Sequence, residues 1–588
     1  MPRIRRHYVT VGGNRQVHYR RAGEGPAFVL MHESPLSSQS LERLIHGLSD
    51  RFTVLALDTP GYGNSGPLVG FEQPEISDYA QATSEALESL GVESCAVYGA
   101  HTGAAIALEL AALRPDLVTA AVLDGLPVFT PEERSDLLAN YLPSFDPVED
   151  GSHLIGLWSR YRDQHIFYPW NDRRQDVRMD IPMPSARHLH DGVMDLLRAG
   201  DDYRIAYSAA FRHIPTEALA STDVPIALVA REDDLLSTHL ERLPQLSETQ
   251  ETKLLPRDKD SWARWIGDFA LGNAREDHLV EPPGWEPVVG GMSSTYVETS
   301  AGQVHVRQSA GGHGRPVVLF HASPTSSRTL QSLALALSKT RNVIAIDTLG
   351  NGESDKPHGY ERPISWDPRG PRPAYDAVPP EPPWDHPEIA TYAAVVVEVL
   401  DGMGIEDVDL YGSHTGGLIG IEVAIALGPE RARNLVIDGL ALFDDEERKD
   451  ILEYYLPPLE PHWDGSHLVF AWNFGRSQTE FWPWYNQTRA GIRWVDPVPA
   501  KALHTWVVEL LKSGHTYPLA YRAAFEYPGR ERLPELKTRT LIAAEEGDML
   551  APCSEEGVEL APNATAAVLP DTLDGHVNTV VRFLDEGI

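Results

Sequence analysis

A chain of 588 residues is too long for one hydrophobic core, so two or more domains are expected. Its 85 acidic against 50 basic side chains, net −35, disfavour phosphate backbones and anionic membranes, so neither nucleic acid nor a membrane is an expected partner. The two cysteines, Cys95 and Cys553, make neither a disulfide framework nor a Cys-rich metal site. No run approaches the ~20 apolar residues that span a bilayer. The basic N-terminal stretch lacks an apolar core, so no secretory signal is read and a cytoplasmic location is expected.

Along the first half, "RHYVTVGGNRQVHYRR" reads as strand-like, and the short apolar runs "FVLMH", "FTVLALD", "SCAVYGA" and "TAAVLDG" read as strands. Helical stretches such as "ISDYAQATSEALESLGV" lie between them. Near-continuous apolar strands separated by amphipathic helices imply a mostly parallel sheet covered on both faces, with chemistry at the carboxyl ends of its strands. His32, Asp58, His101 and Asp124 all fall at such ends. Residues from about 130 to 215 lack clear strands and carry aromatics such as "FYPWND", which reads as an inserted helical cap roofing a pocket. The alternative is that these aromatics form the cap's own core.

The second half repeats the first. "VLMHESPLSS" matches "VLFHASPTSS", "LALDTPGYGNSG" matches "IAIDTLGNGESD", and "VYGAHTGAAIALEL" matches "LYGSHTGGLIGIEV". The offset between matched positions is 289 at His32/His321 and 313 at His101/His414, then 314 from Asp124/Asp438 onward. The second copy therefore carries a Pro-rich insertion between Ser354 and His414, which is either a lid or a passive excursion. The expected organisation is a domain over residues 1–272 with a cap at about 130–215, a linker over 273–290, and a domain over 291–588 with a cap at about 444–528.

Taken together, these motifs resemble the α/β-hydrolase fold, in the capped branch of haloalkane dehalogenases, epoxide hydrolases and C–C bond hydrolases. The resemblance rests on H-x-S-P-x-S-S after an early strand, D-x-x-G-x-G-x-S after the next, the G-x-Nu-x-G elbow, a late acidic segment and "LDGH" near the end. It implies an α/β fold class: two such domains, each a mostly parallel sheet flanked by helices with an inserted cap. It also implies a nucleophile at the elbow, an acid after a late strand and a histidine base after the last strand.

At the elbow this sequence has His101 and His414 where the family has Ser, Cys or Asp. The turn demands an unusual backbone with positive φ, and Gly99/Gly103 and Gly412/Gly416 relieve crowding beside it. The helix N-terminus is expected to keep the ring neutral. In the second copy the resemblance offers Asp548 or Asp438 as the acid and His576 as the base. The first copy keeps Asp124 and Asp234, but the offset places Trp262 where the base should be, so this copy is expected to be catalytically silent. Ser413 points away from the pocket by its spacing. Thr415, like its partner Thr102, and Ala322 after His321 are expected to supply backbone N–H groups to an oxyanion.

Three mechanisms follow for the second copy: acid/base hydrolysis or lyase-type cleavage by His414 with His576, direct attack by His414, or a metal held by His321, His414 and His576 with a carboxylate. Trp472, Trp482, Trp484, Tyr517 and Tyr521 suggest a small, largely apolar or aromatic substrate. No cofactor is expected. A non-catalytic ligand-binding or assembly protein is the alternative class, and the duplication would mimic a homodimer of single-domain relatives.

Overall fold

The computed structural model describes residues 2–275, 287, 291–357, 360 and 384–585. The Pro-rich insertion and most of the 273–290 linker lie outside the described residues. The chain divides into two compact units, residues 1–146 with 153–285, and residues 147–152 with 286–588.

The strands of the first unit are β1 (Arg5–Val11), β2 (Arg15–Ala22), β3 (Ala27–Met31), β4 (Thr53–Leu57), β5 (Cys95–Ala100), β6 (Val118–Asp124), β7 (Ile226–Arg231) and β8 (Gln250–Leu255). They form one sheet in the order β1-β2-β4-β3-β5-β6-β7-β8, with β1/β2 and β2/β4 antiparallel and the rest parallel. The second unit repeats this with β9 (Ser293–Thr299), β10 (Gly302–Gln308), β11 (Val317–Phe320), β12 (Val343–Ile346), β13 (Val408–Ser413), β14 (Ala432–Asp438), β15 (Arg539–Glu545) and β16 (Ala564–Leu569), ordered β9-β10-β12-β11-β13-β14-β15-β16.

The apolar strands are apolar because both faces are covered. In β11, Val318 and Phe320 pack into one cluster with Leu418 and Leu435, while Val317 and Leu319 pack into another with Leu541 and Leu584. Helices Thr102–Leu113 and Thr415–Leu427, which follow the elbows, are buried on nearly every side, which is why they read as apolar throughout rather than as a stripe. The elbow residue at each helix start is thereby fixed against the sheet.

The cap of each unit leaves the sheet between the strand that ends at Asp124 or Asp438 and the next strand. In the first unit it consists of helices Pro131–Asn140, Ser152–Asp163, Ala186–Ala199 and Tyr203–Arg212. In the second it consists of Asp445–Tyr454, Ser466–Glu480, Ala500–Ser513 and Tyr517–Phe525. The first helix of each begins with a reciprocal cap, Thr130 with Glu133 and Asp444 with Glu447, worth about 1 kcal/mol for each side-chain cap. Within each cap the aromatics form a cluster of their own: Tyr141 with Trp170, Tyr207 and Phe211, and Tyr455 with Trp482, Trp484, Tyr521 and Phe525.

Candidate active site

His101 and His414 are the only non-glycine residues with positive φ among the described residues, at +48° and +49°. Each turn closes so tightly that a Cβ on Gly99 would lie 2.0 Å from the Gly103 carbonyl oxygen, and one on Gly412 would lie 2.2 Å from that of Gly416. The glycines at these positions are a steric requirement, as the motif predicts.

The elbow ring is held by a carboxylate. His414 Nε2 lies 2.8 Å from Asp548 Oδ2, and His101 Nε2 lies 2.9 Å from Asp234 Oδ2. Each carboxylate is itself fixed by a backbone N–H two residues on, Leu550 and Leu236, at 2.7 Å. The expectation of a neutral ring is corrected here. Burial alone would lower the histidine pKa, but the adjacent carboxylates outweigh it: His414 is raised, and His101 is pushed up to about 9. Each ring lies over a glycine with positive φ. A Cβ on Gly439 would come within 2.2 Å of His414 Cδ2, and one on Gly125 within 2.6 Å of His101 Cδ2.

A tyrosine links the remaining groups of the second unit. Tyr411 Oη donates to Asp438 Oδ2 at 2.5 Å, and His576 Nε2 lies 3.2 Å from the same hydroxyl. Burial, with the Asp438 charge beside it, pushes the Tyr411 hydroxyl well above its ordinary pKa, so it stays a donor to the carboxylate. Its oxygen therefore accepts from His576 Nε2–H, which leaves Nδ1 of His576 as the free base position. The acid facing His576 is thus Asp438, through Tyr411, whereas Asp548 serves His414. From the cap, Arg493 is close enough for its charge to oppose protonation of His414 and to favour ionised Asp548.

The first unit places Trp262 against Tyr98 at 6.0 Å between ring centroids, the same separation as His576 from Tyr411. Both residues lie on the helix after the last strand, Lys259–Gly272 and Leu573–Asp585. Arg231 occupies the matched position of Glu545. It lies over the Trp262 ring at 5.4 Å and reaches Asp124 at 3.2 Å and Asp234 at 3.3 Å. Burial nevertheless dominates at Asp124, whose pKa is pushed up to about 6. The elbow dyad is therefore present in both units, and they differ in what surrounds it.

His321 and His32 are both buried. Nε2 of each accepts a backbone N–H at 2.9 Å, from Thr348 and Thr59, while Nδ1 donates at 2.9 Å to the carbonyl of Ala322 and of Glu33. With both nitrogens committed to backbone, His321 is not placed to ligate a metal, and it orients the loop carrying Ala322. Among the described residues no group of three or more His, Cys, Asp or Glu could hold a metal ion. Asp58 likewise holds a turn, accepting from Ser38 N–H at 2.7 Å, Asn64 N–H at 2.9 Å and His18 Nδ1 at 2.7 Å. Thr415 opens its helix, where a backbone N–H has no intrahelical acceptor. Of the aromatics expected to line the pocket, Trp472 and Tyr517 are at most 1% exposed: Tyr517 packs on Phe474 and Tyr521 inside the cap, and Trp472 lies against Gly151 and donates its indole N–H to Glu149 O at 3.2 Å. Trp484 donates its indole N–H to Tyr455 O at 3.0 Å, and Trp482 and Tyr521 are partly exposed.

The spacing of the elbow motif did not single out Tyr98/Tyr411, Gly125/Gly439, Arg231/Glu545 or Arg493. The first three pairs were nevertheless available from the offset between copies.

The fold and site define a capped, mostly parallel α/β protein carrying a residue on a strand–turn–helix elbow, with acids and a histidine at neighbouring strand ends. A model of the alpha/beta hydrolase fold matches residues 26–147 and 315–498, just over half the chain. The chain belongs to that family and carries its fold twice. It is similar to the (E)-2-((N-methylformamido)methylene)succinate hydrolase of Acinetobacter baylyi, 31% identical over 117 residues, which are 20% of this chain and 44% of the relative. The soluble epoxide hydrolase of a Corynebacterium species is 33% identical over 126 residues, 21% of this chain and 43% of the relative. The chain thus spans less than half the length of these curated relatives. Among solved structures, the enol-lactonase from Burkholderia xenovorans is 19% identical, with 49% of this chain and 99% of that chain covered and a TM-score of 0.35.

Proposed function

We propose that the chain is a hydrolase, or an enzyme of lyase-type bond cleavage, acting on a small, largely apolar or aromatic molecule in its second unit. The observation that carries this reading is the Asp548–His414 dyad at the elbow, with the base position of His576 beyond Tyr411. An Asp–His pair is the arrangement that orients an imidazole and stabilises its cation.

In this reading ionised Asp548 accepts a hydrogen bond from Nε2–H, and Nδ1 of His414 takes a proton from water as the water oxygen bonds to the substrate's electrophilic carbon. Charge developing on the substrate oxygen is met by the N–H groups of Ala322 and Thr415. The bond to the leaving group then breaks, and the proton that His414 took passes to that group, directly or relayed through Nδ1 of His576. No cofactor is required. In the first unit, Arg231 engages both carboxylates and Trp262 replaces the second histidine, which supports the first copy's silence in this reaction.

The test is a panel of aryl esters, epoxides, haloalkanes and β-diketones screened with the full chain. Turnover lost in His414→Asn and His576→Ala but kept in His101→Asn supports the reading. Equal loss from His101→Asn and His414→Asn overturns the single active unit. A covalent adduct on His414 in the intact mass after substrate exposure overturns the base role in favour of direct attack. Tight binding of panel compounds without turnover favours the binding-protein alternative, which the missing Ser, Cys or Asp at both elbows supports.

A further inference from the structure

The two caps share one aromatic frame. Tyr141, Trp170 and Tyr203 of the first match Tyr455, Trp484 and Tyr517 of the second at the constant offset. Inside this frame the second unit places Phe474, whose ring meets Trp484 at 5.1 Å and Tyr517 at 6.0 Å. The first unit places Arg160 at the matched position. Its guanidinium carbon lies 5.5 Å from the Tyr141 ring, 5.6 Å from Trp170 and 5.8 Å from Tyr203.

Arg160 is 2% exposed. Its Nη1 donates to Gln164 Oε1, but among the described residues Nε and Nη2 have no hydrogen-bond partner, and no carboxylate pairs with it. The three rings offset part of the cost of burying this cation, yet they cannot satisfy its in-plane donors. Nε and Nη2 form one edge of the guanidinium, and their parallel N–H bonds match the two oxygens of a carboxylate. Since phenylalanine fills the same frame in the second unit, packing alone does not call for an arginine here.

We propose that the first unit binds a small organic acid, its carboxylate received edge-on by Nε and Nη2 of Arg160. The frame continues toward the elbow: Tyr141 meets Tyr168 at 6.3 Å, and Tyr168 lies within electrostatic reach of Asp234, the partner of His101. The body of the acid would lie along these rings. This gives the unit without the second histidine a recognition role independent of catalysis in the other.

The experiment is calorimetric titration of the full chain with acetate and with benzoate, repeated on Arg160→Phe and Arg160→Lys. Arg160→Phe installs the residue that the second unit already carries in the same frame, so folding is expected to survive. Arg160→Lys retains the charge but not the two-donor edge. We expect at least one acid to bind the wild type, with affinity reduced about tenfold or more in Arg160→Lys and abolished in Arg160→Phe. Binding of neither acid to the wild type overturns the proposal, as does undiminished binding to Arg160→Phe. Should Arg160→Phe fail to fold, Arg160→Lys decides alone: unchanged affinity overturns the proposal and weakened affinity supports it.

Discussion

The His101–Asp234 pair makes a quantitative demand on pH. The ring's pKa is pushed up to about 9 from an ordinary 6.5, with burial opposing the rise and the Asp234 carboxylate at 2.9 Å driving it. At about 1.4 kcal/mol per pH unit, that difference corresponds to roughly 3 kcal/mol favouring the folded protein with a charged ring. A group whose pKa is raised on folding contributes fully below its unfolded value and loses its contribution as pH rises through the folded one. The stabilisation is therefore complete near pH 6, declines between 6.5 and 9, and is gone by about pH 10. In Asp234→Asn the driving charge is removed while burial remains, so His101 should titrate at or below 6.5. The assay is proton NMR titration of the histidine ring resonances, with His101 assigned by its disappearance in His101→Gln. Urea unfolding of wild type and Asp234→Asn from pH 6 to pH 10 accompanies it. The stability gap should narrow by about 3 kcal/mol across that range, while the part owed to Arg231 persists. A wild-type midpoint at or below 6.5, or a gap that stays flat with pH, would refute the electrostatic account of the elbow.

Three further outcomes follow from the same geometry. Gly439→Ala sets a methyl group 2.2 Å from His414 Cδ2 at a φ of +78°, so strain and overpacking should cost about 2–4 kcal/mol. Displacement of the ring should lower kcat about a hundredfold, and an unchanged kcat would contradict the ring's placement. Arg231→Met leaves Asp124 and Asp234 without their shared cation and should destabilise the first unit by about 3–5 kcal/mol in urea unfolding; a loss under 1 kcal/mol would contradict the network. If His414 is the base, kcat/KM should rise with pH through a midpoint above 6.5, because only the deprotonated ring accepts a proton. That midpoint should fall in Asp548→Asn, and an unmoved midpoint would assign the profile to another group.

Much of this architecture was legible in the sequence, because the signals involved are local or repeated. Buried strands read as short apolar runs, the elbow reads from glycine spacing, and the duplication reads from matched motifs. The partnership of His414 was not legible. Both Asp438 and Asp548 follow late strands, and the choice between them depends on how the ring lies over Gly439 and on Tyr411 claiming Asp438. A helix terminus disfavours a charged ring, but the Asp548 carboxylate, 134 residues along the chain, stands 2.8 Å from His414 and favours one. The aromatics misled for a related reason. Sequence position places Trp472 and Tyr517 in the cap, but only packing shows that Gly151 and Glu149 cover the first and Phe474 meets the second.

The bare glycine beneath each elbow ring carries a consequence for how this protein could change. Side-chain size at position 414 and its absence at position 439 act as a single trait: the imidazole holds its place only because its neighbour has no Cβ. A larger residue at 439 would evict the ring, whereas a smaller one at 414 would leave the glycine's space unfilled and release Asp548 from its partner. A route from this elbow to one bearing serine or aspartate therefore passes through a state in which Asp548 must find a new proton donor. Arg493, whose charge already favours ionised Asp548, is the side chain that the site offers for that role.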